Sequence, residues 1–231
     1  MLATIEGLLA GELTREQGLA WCEQLRPPKH DGRSPFYGSG LGDASAVFES
    51  LWNLDQLRAD GEPWVRELDL RGYRRWLREG HVFVGTRDPM VGLRFELEAL
   101  VERVGGEPVR FWNHGLGWYL ELRFCAPLSG RPFVAFESMF YPGGCSVHFR
   151  RGDDPQEALR DLFETLAMDE HELGLHPELD AERLPQWALW REDDNNNRFE
   201  IERSRSYAKL AEREQMFEAR GHRQSYWIEP V

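Results

Sequence analysis

The closing stretch, Trp187 to Glu229, restricts the possible folds most strongly, because two different periodicities succeed one another there within a few dozen residues. Trp187, Leu189 and Arg191 alternate with Ala188 and Trp190, the period of two that sends successive side chains to opposite faces of a strand. The run Glu192-Asp193-Asp194-Asn195-Asn196-Asn197 follows. Its side chains bond their own backbone and tolerate left-handed dihedrals, so it turns the chain. Arg198 to Arg203 alternates again, Phe199 and Ile201 against Glu200 and Glu202, and the two runs make a hairpin. Ser204 or Ser206 can then cap a helix whose apolar face includes Tyr207, Leu210, Ala211 and Phe217, and Gly221 stops it. Gln224, Tyr226 and Ile228 alternate with Ser225, Trp227 and Glu229 ahead of Pro230, a third strand. Residues 185–231 therefore read as a ββαβ module.

The first third has another character. Leu2, Ile5, Leu8 and Leu9 mark a short helix ending near Gly11, and Thr14 with Gln17 has the spacing of a capping box. That box opens a second helix burying Leu19, Ala20 and Leu25. After a glycine-rich loop from Pro27 to Gly42, Asp43 can cap a helix carrying Val47, Phe48, Leu51, Trp52 and Leu54. A break at Gly61-Glu62-Pro63 precedes a further helix with Leu70, Tyr73, Trp76 and Leu77. Residues 1–80 thus form a helical region.

Between them, 81–175 reads as an antiparallel sheet with helices. A strand is expected at His81–Val84, and a helical stripe at Leu93, Leu97, Leu100, Val101 and Val104. Strand runs follow at Pro108–Trp112, Trp118–Phe124, Phe133–Phe140 and Cys145–Phe149, with Pro127-Leu128-Ser129-Gly130 turning the second into the third. Asp154, Pro155 and Glu157 supply the N-cap, first-turn proline and capping-box acid of a helix containing Leu159, Leu162, Phe163 and Leu166. Met168–Leu184 is a charged connector. The fold class is α+β: an N-terminal helical region, a central antiparallel sheet with helices, and the C-terminal ββαβ module.

Charge narrows the function. Forty acidic against 28 basic side chains give a net charge of −12, which repels phosphate backbones and favours a basic protein partner over nucleic acid. Three cysteines without a Cys-x-x-Cys pair fit reduced thiols. No basic, apolar leader opens the chain and no apolar run is long enough for a bilayer, so the expected location is cytoplasmic, with no membrane partner.

The motifs that carry chemistry are poorly placed. His171 and His176 are five apart, so on a helix they diverge by about 140°, unlike zinc histidines four apart. They read as part of a solvated linker. Gly38-Ser39-Gly40-Leu41-Gly42 lacks the preceding strand and following lysine of a phosphate loop. Cys125 and Cys145 read as small buried apolar strand residues rather than nucleophiles. No catalytic residue, metal or cofactor is expected. The candidate contacts are loop residues: Asp193, Asp194 and Asn195 in the hairpin turn, and Trp112, His114 and Trp118 around a glycine-flanked loop. Aromatic residues supply burial to a binding surface and carboxylates steer a cation.

Two resemblances add to this. Trp-Arg-Glu-Asp-Asp-Asn-Asn-Asn-Arg-Phe at 190–199, with Glu-Ala-Arg-Gly-His-Arg-Gln-Ser-Tyr-Trp-Ile-Glu at 218–229, resembles small bacterial SPOR-like ββαβ modules. Asn196 stands where their turn has glycine, and Arg223 where they have lysine. True SPOR domains bind peptidoglycan, so this resemblance implies a peptidoglycan-related or regulatory module. Leu9-Ala10-Gly11-Glu12-Leu13-Thr14-Arg15-Glu16 leading to Ala20-Trp21, with a later Leu-Trp-x-Leu and Tyr-x-x-Trp-Leu, resembles bacterial domains proposed as toxin-immunity proteins. That resemblance implies a non-catalytic protein that neutralises a cognate toxin by occluding its active site.

Overall fold

The structure is a computed structural model that describes residues 1–25, 43–79, 90–113, 117–137, 143–150, 152–174, 181–220 and 224–231. The strand expected at 81–84, the glycine loop 38–42, His114, His176 and Gly221 lie outside these residues. The fold is α+β, built from helices and antiparallel sheets. Contacts divide it into two compact units, Met1–Val84 with Gly106–Arg123, and Gly85–Gly105 with Phe124–Val231. The boundaries at 80 and 175 in the sequence mark changes of local periodicity, whereas contacts group 106–123 with the opening helices.

The first unit contains α1 (Leu2–Ala10), α2 (Arg15–Gln24), α3 (Asp43–Leu51), α4 (Glu67–Glu79) and the hairpin of β2 (Val109–Asn113) with β3 (Gly117–Cys125), whose last two residues belong to the second unit. Gly11, at φ 72°, ends α1 in the left-handed region that glycine adopts without strain. The capping box at α2 is present: Gln17 N–H donates to Thr14 Oγ1 and Thr14 N–H to Gln17 Oε1. Arg15, one residue on, donates to the carbonyls of Leu54 (2.8 Å) and Val65 (2.6 Å), tying down the loop that leaves α3. Phe48, Leu51, Leu54, Val65, Tyr73 and Trp76 are fully or almost fully buried.

Against α4 lies β2, and a glycine permits their approach. A Cβ on Gly72 would lie 2.2 Å from Val109 Cγ2, so no side chain fits at that position without displacement. Asp69, in the first turn of α4, has no exposed surface. It accepts hydrogen bonds from the Arg66 amide, from Arg66 Nε and Nη2, and from the Arg110 amide on β2, all at 2.9–3.0 Å. One carboxylate therefore joins the loop, the helix and the strand.

In the second unit, β1 (Met90–Leu93), β5 (Cys145–Phe149) and β4 (Pro132–Glu137) lie side by side in that order, with Val91 opposite Val147 and Phe133 opposite Phe149. Helices α5 (Leu97–Val104) and α6 (Pro155–Leu166) bury Leu97, Leu100, Leu159, Leu162 and Phe163. Leu93 corrects the expected helical stripe: it ends β1 opposite Cys145, and α5 begins only at Leu97 because Glu96 is extended (φ −70°, ψ 162°). At α6 the Asp154 carboxylate caps through the Gln156 and Glu157 amides, as the sequence implies. Glu157 does not complete a box; its carboxylate pairs instead with Arg131, which also holds Asp153 and Asp161.

The described parts of the connector, 168–174 and 181–184, are packed onto the unit and do not form a solvated linker. Glu170–Glu172 forms a 3₁₀ turn, Gly174 N–H donates to Gly92 O at 2.7 Å, and Arg94 N–H donates to Glu172 O at 2.8 Å. Gly174 is needed for this seam, since a Cβ there would meet the Gly92 carbonyl oxygen at 2.9 Å. His171 is exposed. Glu172 faces Arg103. Burial alone would raise its pKa, but the Arg103 guanidinium and the Asp169 amide outweigh burial and hold it below the ordinary glutamate value of 4.5.

The terminal stretch forms β6 (Trp187–Glu192), β7 (Arg198–Ser204), α7 (Tyr207–Glu218) and β8 (Ser225–Pro230), a ββαβ order with β6 central in a three-stranded antiparallel sheet. A bulge falls between Leu189 and Trp190. Ser206 caps α7 by accepting from the Lys209 amide, while Ser204 accepts from the Ser206 amide. Leu210 is the helix residue buried completely, whereas Tyr207 is 45% exposed and meets Trp187 edge-on. Glu164 of α6 reaches across to accept the Tyr207 and Ala208 amides at 2.9 and 2.8 Å, filling two donors that the start of a helix otherwise leaves open. Arg205 donates to the carbonyls of Glu182 and Leu184, fastening the connector to the module. No helix among the described residues is long and apolar enough to cross a membrane.

Replacing Asp69→Ala leaves the Arg66 guanidinium and the Arg110 amide without their acceptor, and urea unfolding should register a loss of about 3 kcal/mol. For Glu172 the sign follows from its lowered pKa: its contribution is complete above pH 4.5 and disappears as pH falls through the folded value. Glu172→Gln should therefore make the decline of stability below pH 4.5 shallower than in the parent protein, as read by urea titrations across the acid range.

Candidate binding surface

A tryptophan cluster in the first unit is the strongest candidate. The segment after α3 doubles back through a bridge between Leu57 and Pro63, with Arg58 N–H donating to Glu62 O at 2.7 Å and Trp64 N–H to Gln56 O at 3.1 Å. Gly61 takes φ 84° at the bend. This delivers Trp64 face to face with Trp118, ring centroids 5.2 Å apart and planes 1° from parallel. Trp112, opposite Trp118 in the β2–β3 register, meets it edge-on at 5.5 Å. The Trp112 amide donates to Ser50 Oγ, whose hydroxyl donates in turn to Ala46 O of α3. All three indoles are half-buried, and Leu57, bridged to Pro63 just before Trp64, is 64% exposed.

Cations flank the rings. Arg58 and Arg110 each place their guanidinium carbon 5.6 Å from the Trp64 ring centroid. Arg58 pairs with Asp60 at 3.4 Å, whereas Arg110 keeps its charge and donates to the neutral Trp64 carbonyl at 3.2 Å. Burial, followed by repulsion from Arg66, lowers the Arg110 pKa from its ordinary value. The cluster offers ring faces and edges, which suit an apolar or aromatic anchor.

The expected contacts fall into separate groups. Trp112 and Trp118 join within the first unit, and Trp64, absent from the sequence-based set, completes them. Its signal was masked because Gly61-Glu62-Pro63 marks a break, and a tryptophan just beyond a break gives no periodicity. Asp193, Asp194 and Asn195 belong to the β6–β7 turn of the second unit. There Asp193 Oδ1 accepts the amides of Asn195 and Asn197, and Oδ2 accepts the Asn197 side chain. Asn196 has φ 60°, the left-handed conformation its glycine counterpart would take. The hydrogen bonds from the Asn197 side chain and amide, with that from Asn195, hold the Asp193 carboxyl below its usual range. Asp193 therefore builds the turn, and Asp194 and Asn195 are exposed at its tip.

Nucleophile chemistry finds no support in the thiols. Burial pushes Cys145 up to about 12, and it stands opposite Leu93 in the β1–β5 ladder. Cys125 is exposed, which corrects the expectation of a buried strand cysteine, yet partial desolvation of its sulfur still raises its pKa. Among the described residues no group of three or more His, Cys, Asp or Glu side chains is placed to hold a metal ion. Compared with protein-family profiles, curated proteins and solved structures, the chain gives no match.

Cys22 of α2 is buried like Cys145, and burial raises its pKa too, so alkylation of the folded protein with iodoacetamide should leave both unmodified at neutral pH. Cys125 should react slowly there, about tenfold faster for each pH unit up to its raised pKa. Rapid neutral-pH modification of Cys145, read by peptide mass, would instead indicate an activated thiol.

Proposed function

We propose that this chain is a non-catalytic binding protein of bacterial type, an immunity protein that neutralises a cognate toxin by covering its active site. The observation that carries the reading is the half-exposed stack of Trp64 on Trp118, edged by Trp112. Rings held rigidly by their neighbours lose little conformational freedom on binding, and large aromatic anchors carry most of the energy in protein interfaces. The net charge of −12 adds long-range attraction for a basic partner, while the rings of the cluster supply the short-range contact. Asp194 and Asn195 are the polar contacts retained from the sequence reading. In the proposed complex Asp193, a candidate contact from the sequence, orders the turn instead, while Trp112 and Trp118 anchor the partner.

The second reading, a SPOR-like peptidoglycan-related or regulatory module, draws on the terminal sheet. Phe217 of α7 stacks on Tyr226, so the alternating neighbour Trp227 projects to the sheet face away from the helix, opposite Trp190 in the β6–β8 register. Indole faces are suited to sugar rings. Sedimentation of the intact chain with stripped glycan strands distinguishes the two readings, since the immunity reading predicts none.

Co-expression with its cognate toxin should restore growth to cells that the toxin arrests. Trp64→Ala combined with Trp118→Ala should weaken the complex by about 30-fold or more, the loss expected on truncating hot-spot aromatics, with circular dichroism unchanged. Growth rescue that survives this double substitution would rule out the tryptophan surface, and failure of the unaltered chain to rescue would rule out the immunity role.

A further inference from the structure

The second unit carries a cavity of about 540 Å³ that neither reading uses. Its walls come from the turn between β3 and β4, the outer side of α6 and the first turn of α7. The volume lies within the roughly 300–1,000 Å³ typical of small-molecule sites. Pro127, Leu128, the Tyr207 ring and Ala208 give it an apolar body, and Leu128 is 94% exposed at the rim although a hydrophobic side chain gains from being covered.

Its polar groups differ sharply in how far they are satisfied. Asp161 Oδ2 accepts from Arg131 Nε and Ser129 Oγ, both at 2.8 Å. Glu164 accepts the Tyr207 and Ala208 amides, and Thr165 Oγ1 donates to the Asp161 carbonyl at 2.6 Å. Both carboxylates are thus hydrogen-bonded, Asp161 to a guanidinium that it shares with Asp153 and Glu157, and Glu164 to the open amides of a helix start. Arg160 lines the same cavity from α6, and among the described residues no ion pair reaches it. A guanidinium presents paired N–H donors that match a carboxylate in two parallel hydrogen bonds.

We infer that this cavity binds a small amphipathic carboxylate, an aryl or medium-chain acyl acid whose apolar part lies over Leu128 and Tyr207 and whose carboxylate pairs with Arg160. The inference is independent of the toxin-binding reading, because it concerns different residues and a ligand of another class.

Calorimetric titration of the full chain with 1-naphthoate and decanoate, and with the neutral 1-naphthalenemethanol and decanol, tests it. The expected result is saturable one-to-one binding of at least one acid, with its alcohol at least tenfold weaker. Arg160→Gln, an exposed helix position whose loss leaves the fold intact, should weaken the acid at least tenfold and leave the alcohol unchanged. Leu128→Ser should weaken acid and alcohol alike. Absence of saturable binding by either acid overturns the inference, as does equal affinity of the parent protein and Arg160→Gln, or equal affinity of acid and alcohol.

Discussion

The Asp69 carboxylate, without exposed surface, is the constraint on which the first unit and its tryptophan cluster rest. A buried charge is tolerated only where donors replace the water it has lost, and four do so here. The consequences propagate outward. Fixing Arg66 fixes the end of the loop that carries Trp64, and Arg15 holds the neighbouring Val65 carbonyl. Fixing the Arg110 amide sets the position of β2 on α4, and with it Trp112 and, through the hairpin register, Trp118. Arg110 closes the circuit by donating to the Trp64 carbonyl. Tyr73, fully buried, donates its hydroxyl to the carbonyl of the same Arg110. The half-buried tryptophan cluster is thus the outer end of a network whose inner end is one aspartate.

The second unit uses acidic side chains in a related way, as acceptors for backbone amides at places where the chain changes element. Asp154 opens α6, Glu164 opens α7 from a neighbouring helix, and Asp193 gathers the β6–β7 turn. Each fills donors that a helix start or a tight turn would otherwise leave to water. Such carboxylates still add to the long-range field of the molecule, because that field depends on the sum of charges and is screened only over about 10 Å at 0.1 M salt. At contact range they differ from free acids. Asp193 is occupied by its own turn, whereas the adjacent Asp194 is exposed.

Close approach is the other recurring device. Gly72 admits β2 against α4, and Gly174 admits the connector against the Gly92 carbonyl. Both positions exclude a side chain because of what lies opposite in space, independently of φ. They explain why two stretches that carry weak local signals are nevertheless well packed.

What the sequence by itself determined was local. The capping box at Thr14, the Asp154 cap, the ββαβ order of the final stretch and most strand positions depend on residues only a few places apart, and periodicity records them directly. Leu93 was misassigned because an apolar residue ending a strand matches a helical period when the break after it is ignored. The tertiary structure decided which elements share a core, grouping 106–123 with the opening helices, pinning the connector at Glu172 and Gly174, and bringing Trp64 to Trp118 across more than fifty residues. Those outcomes depend on burial, on shape at Gly72 and on the acceptors a buried guanidinium or carboxylate can find, quantities that exist only once distant segments have met.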